Sequence, residues 1–292
     1  MPSSYIYLNG LRGHYLHWNL GSGGRPAILL HGLASNARIW ERVAPRLEAG
    51  GLEIIAPDAR GHGLSDKPEG DYGYDAFYRD LSALINTFDL EHPLLVGHSW
   101  GAWLALDFAA RANQGRYAPA GIILVDGGMI QINQIPGATL ESTRSRLTPP
   151  RLAGTPLDAF VERLHEANSR WQPDDEAISI ILANFEISAE ETISPRLSFE
   201  HHMQIVDAMW GFPTYERFSN LTCPALLVPA RYSPPQSEPE REFLANKETA
   251  VDYLTRRYSS VSLHWMEDSV HDIPLQRPAE LGNLILRFAA SL

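Results

Sequence analysis

The stretch Val96–Ala105, VGHSWGAWLA, predicts a sharp turn between a buried strand and a buried helix. The run before it, His92–Val96, is short and apolar, as in an interior strand, and Ala102–Ala110 has the composition of a buried helix. Ser99 lies at the apex, between two glycines. Because glycine lacks a Cβ, strand and helix can approach closely there and leave the serine hydroxyl exposed. This context favours a nucleophile over a small residue in an ordinary loop.

On both sides of this turn, apolar strand-like runs alternate with helical patterns. The alternation predicts an α/β fold with a mostly parallel, doubly wound sheet of about eight strands. Residues around Asn9-Gly10 alternate in polarity and predict an antiparallel hairpin at the N-terminal edge. The predicted strands are Ala27–Leu30, Leu52–Ala56, Leu94–Val96, Ile122–Val125, Ala225–Pro229 and Val261–Met266. The predicted core helices are Ile39–Leu47, Tyr74–Phe88, Trp100–Arg111, Glu240–Tyr258 and Pro278–Ala290.

The α/β rhythm stops between residues 131 and 216, where the chain is polar and punctuated by prolines. Three helices are predicted there, at Asp158–Arg170, Asp175–Phe185 and Phe199–Trp210. We therefore expect a core of residues 1–130 and 217–292, with a helical cap (131–216) inserted after the sixth strand. Such an insertion would lie over the carboxyl ends of the strands, where open sheets bind ligands.

Composition narrows the possible partners. The formal net charge of −11 gives no electrostatic support for binding nucleic acid or an anionic membrane. The single cysteine, Cys223, excludes an intramolecular disulfide. No signal peptide or segment of transmembrane length is recognisable. These features predict a cytoplasmic enzyme with a small-molecule substrate, and they leave the oligomeric state open.

A serine nucleophile needs a base, because its hydroxyl is almost fully protonated at neutral pH. His271 follows the last predicted strand, so it should lie at the same edge of the sheet as Ser99. That position favours it over His264, His98 and His62.

The oxyanion that forms during acyl transfer needs fixed N–H donors. The Trp100 N–H begins a predicted helix, and Gly32 would let the chain turn so that the Leu33 N–H points toward the site. We therefore predict Leu33 and Trp100 as the two backbone donors. His31, beside them, is expected to be a structural hydrogen-bonding residue.

Four motifs in order resemble the α/β-hydrolase fold family: HG at 31–32, DARGHGLS at 58–65, GHSWG at 97–101 and SVHDIPLQRP at 269–278. The resemblance covers nearly the whole chain and is weakest over the cap. It points to the serine-nucleophile branch with a helical cap, which includes esterases, C–C hydrolases and proline iminopeptidase-like enzymes. In this family the segment at 58–65 is a structural loop, so Asp58, Arg60 and His62 are interpreted as turn and packing residues.

The third member of the triad departs from the family pattern. The resemblance implies an Asp in the loop after Ala225–Pro229, but Ser233 occupies the usual position and the loop contains no Asp. Asp126 closes the preceding strand at the same edge of the sheet, where some members of the fold carry the acid. A carboxylate there can orient the histidine equally well. We predict Asp126 as the acid, with Glu238 as the alternative and a turn-capping role for Asp126 also open.

These residues together predict a serine hydrolase that cleaves a carboxylic ester of a small to medium apolar acyl group, without cofactor or metal. Trp100 and Trp103 flank the nucleophile, and the cap could add apolar groups to the pocket. For Trp103, Trp171 and Met209 we expect ordinary core packing. C–C hydrolysis, aminopeptidase activity and a non-catalytic ligand-binding role remain alternatives. Dehalogenase and epoxide hydrolase activities are disfavoured because those enzymes use an Asp nucleophile. The cap residues that could line this apolar pocket are Trp171, Met203, Met209, Trp210 and Phe212.

Overall fold

A mostly parallel sheet of eight strands forms the centre of the molecule in the computed structural model, which describes residues 2–166, 170–232, 234 and 237–292. In chain order the strands are β1 (Ser3–Leu8), β2 (Leu11–Trp18), β3 (Arg25–Leu30), β4 (Leu52–Pro57), β5 (Leu94–His98), β6 (Gly121–Val125), β7 (Thr155–Pro156), β8 (Phe185–Ile187), β9 (Thr192–Pro195), β10 (Ala225–Val228), β11 (Ala230–Arg231), β12 (Val261–Leu263) and β13 (Met266–Glu267).

The order of strands in the central sheet is β1-β2-β4-β3-β5-β6-β10-β12. β1 and β2 form an antiparallel hairpin, and β2 is antiparallel to β4, whereas the strands from β4 to β12 are parallel. The predicted fold class is therefore confirmed. All the parallel strands end at one edge of the sheet, which brings β5, β6 and β10 side by side there.

Helices cover both faces of this sheet. In chain order, the helices of the described residues are α1 (Ala44–Ala49), α2 (Tyr74–Thr87), α3 (Trp100–Arg111), α4 (Leu140–Leu147), α5 (Leu157–Glu166), α6 (Asp175–Leu182), α7 (Phe199–Trp210), α8 (Thr214–Ser219), α9 (Glu238–Arg257), α10 (Ile273–Gln276) and α11 (Pro278–Ala290), of which α4 to α8 belong to the segment between β6 and β10. None of these helices in the described part of the chain has the length and apolar character needed to cross a membrane.

Alternate residues of each inner strand enter two separate hydrophobic cores. In β6, Ile122 and Leu124 belong to one core, while Ile123 and Val125 belong to the other. Because successive side chains of a strand point to opposite faces, both faces of the sheet are buried. This explains why the strand is a continuous apolar run rather than an alternating one.

The segment between β6 and β10 contains α4 to α8 and a three-stranded antiparallel sheet in the order β7-β9-β8. The predicted helix Asp175–Phe185 is wrong at its end, since the helix stops at Leu182 and Phe185 begins β8. Phe185 packs against Phe160 at 4.9 Å between ring centroids and contributes to a small third core. This tertiary contact outweighs the local helical pattern.

Three other predictions differ from the structure. The helix expected over Ile39–Leu47 is observed as a 3-10 turn over Ala37–Trp40, followed by α1 from Ala44 to Ala49. The helix expected over Asp158–Arg170 is observed over Leu157–Glu166; residues 167–169 lie outside the described residues. The single strand expected over Val261–Met266 is broken into β12 and β13, and β13 pairs with β11. The break turns the chain away from the central sheet before the loop that carries His271.

Candidate active site

Ser99 lies between the end of β5 and the start of α3, with a backbone φ of 51°. A residue with a side chain rarely adopts this left-handed conformation, which marks a strained turn. The Ser99 N–H donates to the carbonyl of Val125 at the end of β6 (2.8 Å), and its own carbonyl accepts from the Ala102 N–H (3.0 Å). The backbone therefore holds the serine at the carboxyl ends of two neighbouring strands.

Glycines make this turn possible because main-chain segments pass very close to one another here. A Cβ on Gly97 would lie 2.2 Å from the carbonyl oxygen of Gly101, so the predicted close approach at this position is confirmed. A Cβ on Gly127 would lie 2.0 Å from the carbonyl oxygen of Ser99. Non-bonded atoms do not approach this closely, so a larger residue at either position would displace the turn.

His271 and Asp126 form a hydrogen-bonded pair. The Nδ1 atom of His271, in the loop between β13 and α10, lies 2.7 Å from Oδ2 of Asp126. Because a carboxylate only accepts hydrogen bonds, Nδ1 carries the proton and Nε2 of the neutral ring is an acceptor. The Asp126 side chain is 3% exposed and the His271 side chain is 53% exposed. The acid is thus buried under an imidazole that remains accessible.

Lys247 contacts the Asp126 oxygen that does not bond His271. The sequence did not predict it as a site residue. Its Nζ lies 2.6 Å from Oδ1 of Asp126 and 2.9 Å from the carbonyl oxygen of Ala230. The Ala230 N–H also donates to Oδ1 (2.9 Å). Lys247 lies in the middle of α9, one of only two lysines in the chain, at a position where the helical pattern alone predicts a core-facing residue.

Opposite charges set the protonation states of the pair. Burial alone would raise the pKa of Asp126, but the charge of Lys247 and the bond to His271 hold that pKa far below its usual range. Burial would likewise lower the pKa of His271, but the hydrogen bond and charge of Asp126 raise it above its usual value. Solvent moderates both effects at the exposed ring. Asp126 is therefore a carboxylate at neutral pH. His271 takes up a proton at a higher pH than an ordinary histidine does.

The other histidines considered have structural contacts. Burial lowers the pKa of His98 to about 4, with a further contribution from the charge of His271, and the neutral ring donates from Nε2 to the His271 carbonyl (2.9 Å). Burial lowers the pKa of His62 to about 3, and its ring stacks on Trp100. His264 lies 4.0 Å from Glu280. The structure brings only His271 of these four candidates to Asp126.

The alternative acid, Glu238, lies elsewhere. It is the first residue of α9 and forms an ion pair with Arg241, one turn along the same helix. The usual family position, Ser233, lies outside the described residues. Of the two carboxylates considered, Asp126 is the one bonded to His271.

The two expected oxyanion donors, Leu33 and Trp100, lie in segments next to Ser99. Trp100 is the first residue of α3, so its N–H has no helical carbonyl four residues earlier to bind. Leu33 lies in a turn closed by a hydrogen bond from the Ser35 N–H to the Gly32 carbonyl (3.2 Å). A Cβ on Gly32 would lie 3.1 Å from Cβ of Ser99, so this turn passes directly beside the serine.

Ser99, Asp126 and His271 share the wall of a cavity of about 680 Å³. This volume suits a small organic ligand. Arg170 donates to Glu240 (2.7 Å) on the same wall. Most of the remaining wall is apolar: Trp103, Met129, Ile130, Ile132, Ile135, Leu147, Met209, Phe243, Leu244 and Val270.

The expected pocket residues divide between cavity and core. Trp103 and Met209 pack against the core as expected, but each also lines the cavity. The side chains of Trp100 and Phe212, 1% and 2% exposed, are buried in the core instead, and Trp171 packs against the second core as predicted. The Trp100 backbone keeps its position beside Ser99 although its ring is not part of the wall.

The segment 58–65 forms a structural loop, as the resemblance implies. Asp58 accepts hydrogen bonds from the N–H groups of Ala37 (2.7 Å) and Leu64 (2.8 Å), and Arg60 pairs with Asp80. His31 accepts at Nε2 from the Ala59 N–H (3.0 Å), which confirms its predicted structural role.

Two adjacent histidines of α7 point to different partners. His201 stacks on Tyr72 with 4.1 Å between ring centroids, while His202 donates from Nε2 to the Leu147 carbonyl (2.9 Å). Adjacent positions on a helix diverge by about 100°, which explains this separation. The part of the chain that the structure describes has no cluster of three or more potential metal ligands.

This chain is similar to known proteins in sequence and in fold. A sequence model described as "Alpha/beta hydrolase family" matches residues 27–283. The uncharacterized protein Mb2734 of Mycobacterium bovis is 43% identical over 89 residues, 30% of this chain and 26% of that protein. The match thus spans about a quarter of the relative's length.

Two solved structures are similar along their whole length. An E-2-(acetamidomethylene)succinate hydrolase has a TM-score of 0.78 at 21% identity, covering 99% of both chains. An aryl esterase from Burkholderia cenocepacia, described as putative, has a TM-score of 0.67 at 22% identity, covering 99% of this chain and 98% of its own. At these identities the two likenesses show the fold alone.

Proposed function

This chain belongs to the alpha/beta hydrolase family, and we propose that it is a serine hydrolase that cleaves a carboxylic ester through an acyl-enzyme. One observation carries the proposal. The imidazole of His271, oriented by a buried carboxylate at 2.7 Å, shares one cavity wall with the strained Ser99. A serine, a base and a group that orients the base are the three parts that nucleophilic acyl transfer requires.

The reaction divides into two acyl transfers. Ser99 Oγ attacks the ester carbonyl while Nε2 of His271 accepts its proton, and Asp126 stabilises the resulting imidazolium. The N–H groups of Leu33 and Trp100 bind the oxyanion. His271 then returns the proton to the departing alcohol, which leaves the acyl group on Ser99. A water molecule activated by the same imidazole releases the acid and restores the enzyme.

The apolar wall supports an acyl group of small to medium size. Residues 131–216, which we propose as the lid, contribute Ile132, Ile135, Leu147 and Met209 to that wall. A small apolar group bound there would be removed from water, which favours binding in proportion to the area buried. No step of this mechanism calls for a cofactor or metal. A cytoplasmic location stays a prediction.

The aminopeptidase alternative has less support. A substrate amine needs an available carboxylate, but both carboxylates on the described cavity wall, Asp126 and Glu240, are bonded to the cations Lys247 and Arg170. C–C hydrolysis would use the same serine, histidine and acid and remains the second candidate. A ligand-binding role would leave the strained turn at Ser99 without a purpose.

Stopped-flow hydrolysis of p-nitrophenyl acetate, butyrate and octanoate tests the proposal. We expect a burst of p-nitrophenol equal to the enzyme concentration, because acylation of Ser99 precedes slower release of the acid. Ser99→Ala should abolish the burst, whereas Ser219→Ala, on α8 away from the cavity, should retain it. The preferred chain length would measure the pocket.

No release above the Ser99→Ala background on any ester would contradict esterase activity. Cleavage of a diketone by the wild type, lost in Ser99→Ala, would then support C–C hydrolysis. If neither substrate class reacts, the ligand-binding alternative stands.

A further inference from the structure

A buried cation stands behind the proposed acid. Lys247 is 7% exposed, and its Nζ contacts Oδ1 of Asp126 and the carbonyl of Ala230. The Ala230 N–H contacts the same Oδ1. These three contacts tie the end of β6, the start of β11 and the middle of α9 into a closed ring.

Packing alone does not account for a lysine here. Neighbouring buried positions of α9 are apolar: Ala250, Val251 and Leu254. Burying an ammonium group carries a large desolvation penalty unless it is paired and hydrogen-bonded. An apolar residue of similar length would fill the space without that penalty, so the charge itself needs an explanation.

The two oxygens of Asp126 bind different partners. Oδ1 accepts from Lys247 and Ala230, and Oδ2 accepts from His271. A carboxylate held by two donors on one oxygen cannot rotate without breaking both hydrogen bonds. Its second oxygen is therefore fixed in the direction of the imidazole.

We propose that Lys247 is a positioning residue that fixes the Asp126 carboxylate in the direction of His271. The inference rests on the proposed function, because it assigns a task to a residue behind the triad. A positioning role for Lys247 also fits the location of the proposed acid, which follows β6 instead of β10. β11 follows the strand after which the resemblance expects the Asp, and here it supplies backbone contacts to Asp126 and Lys247 instead.

The charged groups around the pair give the sign of the effect on pH. Asp126 is faced by Lys247 and His271, and His271 is faced also by Asp272 and His98. The positive charge of Lys247 opposes protonation of His271, while Asp126 and Asp272 favour it. Removing the charge at 247 should therefore raise the pKa of His271. The acid limb of kcat/KM, where His271 loses its proton, should move to higher pH.

The experiment compares Lys247→Met, Lys247→Gln and Lys247→Arg by pH profiles of kcat and KM on the preferred p-nitrophenyl ester. The chain's other lysine gives a matched control, Lys67→Met, which lies in the loop after residue 65 and outside the cavity wall. We expect Lys247→Met to lose about 10²-fold in kcat with little change in KM, since a misplaced catalytic group has an effect of this size. Its acid limb should move to higher pH. Lys247→Arg should recover part of kcat and restore the limb, and Lys67→Met should match the wild type.

A spectroscopic measurement covers the case in which Lys247→Met does not fold. The Nδ1 proton of His271, bonded to Asp126, should give a downfield NMR resonance in the wild type that moves or broadens in Lys247→Gln. A resonance and an acid limb identical to those of the wild type in a folded Lys247 variant would overturn the inference. Activity of the wild type would then still support the proposed function, whereas absence of any Ser99-dependent burst in the wild type would contradict that function itself.

Discussion

Two aspartate–histidine pairs lie at the carboxyl ends of strands in this sheet, and their geometry is almost the same. Asp58 follows β4 and bonds Nδ1 of His14, and Asp126 follows β6 and bonds Nδ1 of His271, both at 2.7 Å. Both carboxylates are buried, with side chains 2% and 3% exposed. The hydrogen bond alone therefore does not distinguish a structural pair from a proposed catalytic one.

The pairs differ at the second nitrogen of the imidazole. Nε2 of His14 lies 2.8 Å from the Ser3 hydroxyl, and the ring is 4% exposed, so both nitrogens are occupied inside the protein. The His271 ring is 53% exposed and lines a cavity beside Ser99. Access to Nε2, and a serine within the same cavity, therefore distinguish the proposed base from a structural histidine.

Exchanging each histidine for glutamine gives the largest expected contrast. His271→Gln should lower kcat by about 10⁶-fold, the size seen when the base of a comparable triad is removed. His14→Gln should leave kcat/KM of the folded protein almost unchanged, but its free energy of unfolding should fall by about 1–3 kcal/mol because buried hydrogen bonds are lost. Ester kinetics and urea unfolding of both variants measure the two effects.

Equal losses of activity in the two variants would remove the distinction. So would a His271→Gln enzyme that retains the burst. Either result would mean that accessibility of Nε2 is not what separates the pairs.

Exchanging each aspartate for asparagine separates orientation from stability. Asp126→Asn should lower kcat by about 10⁴-fold, because the amide no longer holds the imidazole in the required tautomer. Asp58→Asn should leave kcat nearly intact and reduce the free energy of unfolding by about 3 kcal/mol, since Asp58 accepts from the Ala37 and Leu64 N–H groups as well as from His14.

The Asp126 variant needs a stability control of its own, because it leaves Lys247 as a buried charge without its counter-ion. The double change Asp126→Asn/Lys247→Met should recover stability without recovering activity. A fully active Asp126→Asn enzyme would instead support Glu238 as the acid.

The sequence predicts the parts of the site that a local pattern or the order of the strands brings together. Ser99 and its glycines occupy five consecutive positions between a strand and a helix, so local patterns are enough to predict the turn and the bounds of α3. Asp126 and His271 were predicted because each follows a strand of a parallel sheet, and such strands end at one edge. The order of the strands thus predicts a contact between two residues that lie 145 positions apart.

The contact between Lys247 and Asp126 could not be predicted in this way. Lys247 lies 121 positions from Asp126, in the middle of a helix, and no motif links the two residues. Only the packing of α9 against the end of β6 brings them together. The same holds for Phe185, which joins a strand because of its contact with Phe160, and for the Trp100 ring, which packs in the core rather than on the cavity wall.

The smallest expected effect is a pH dependence that only one of the two pairs should control. In the proposed mechanism His271 must be neutral to accept the serine proton, and Asp126 raises its pKa above the usual 6.5 despite the opposing effect of burial. The acid limb of kcat/KM should therefore have its inflection above pH 6.5, so the wild type should work at less than half of its maximal rate at that pH. Asp58→Asn should keep this inflection, because His14 takes no part in proton transfer. A wild-type inflection at or below pH 6.5, or one that moves in Asp58→Asn, would mean that the titrating group is not an imidazole held by Asp126.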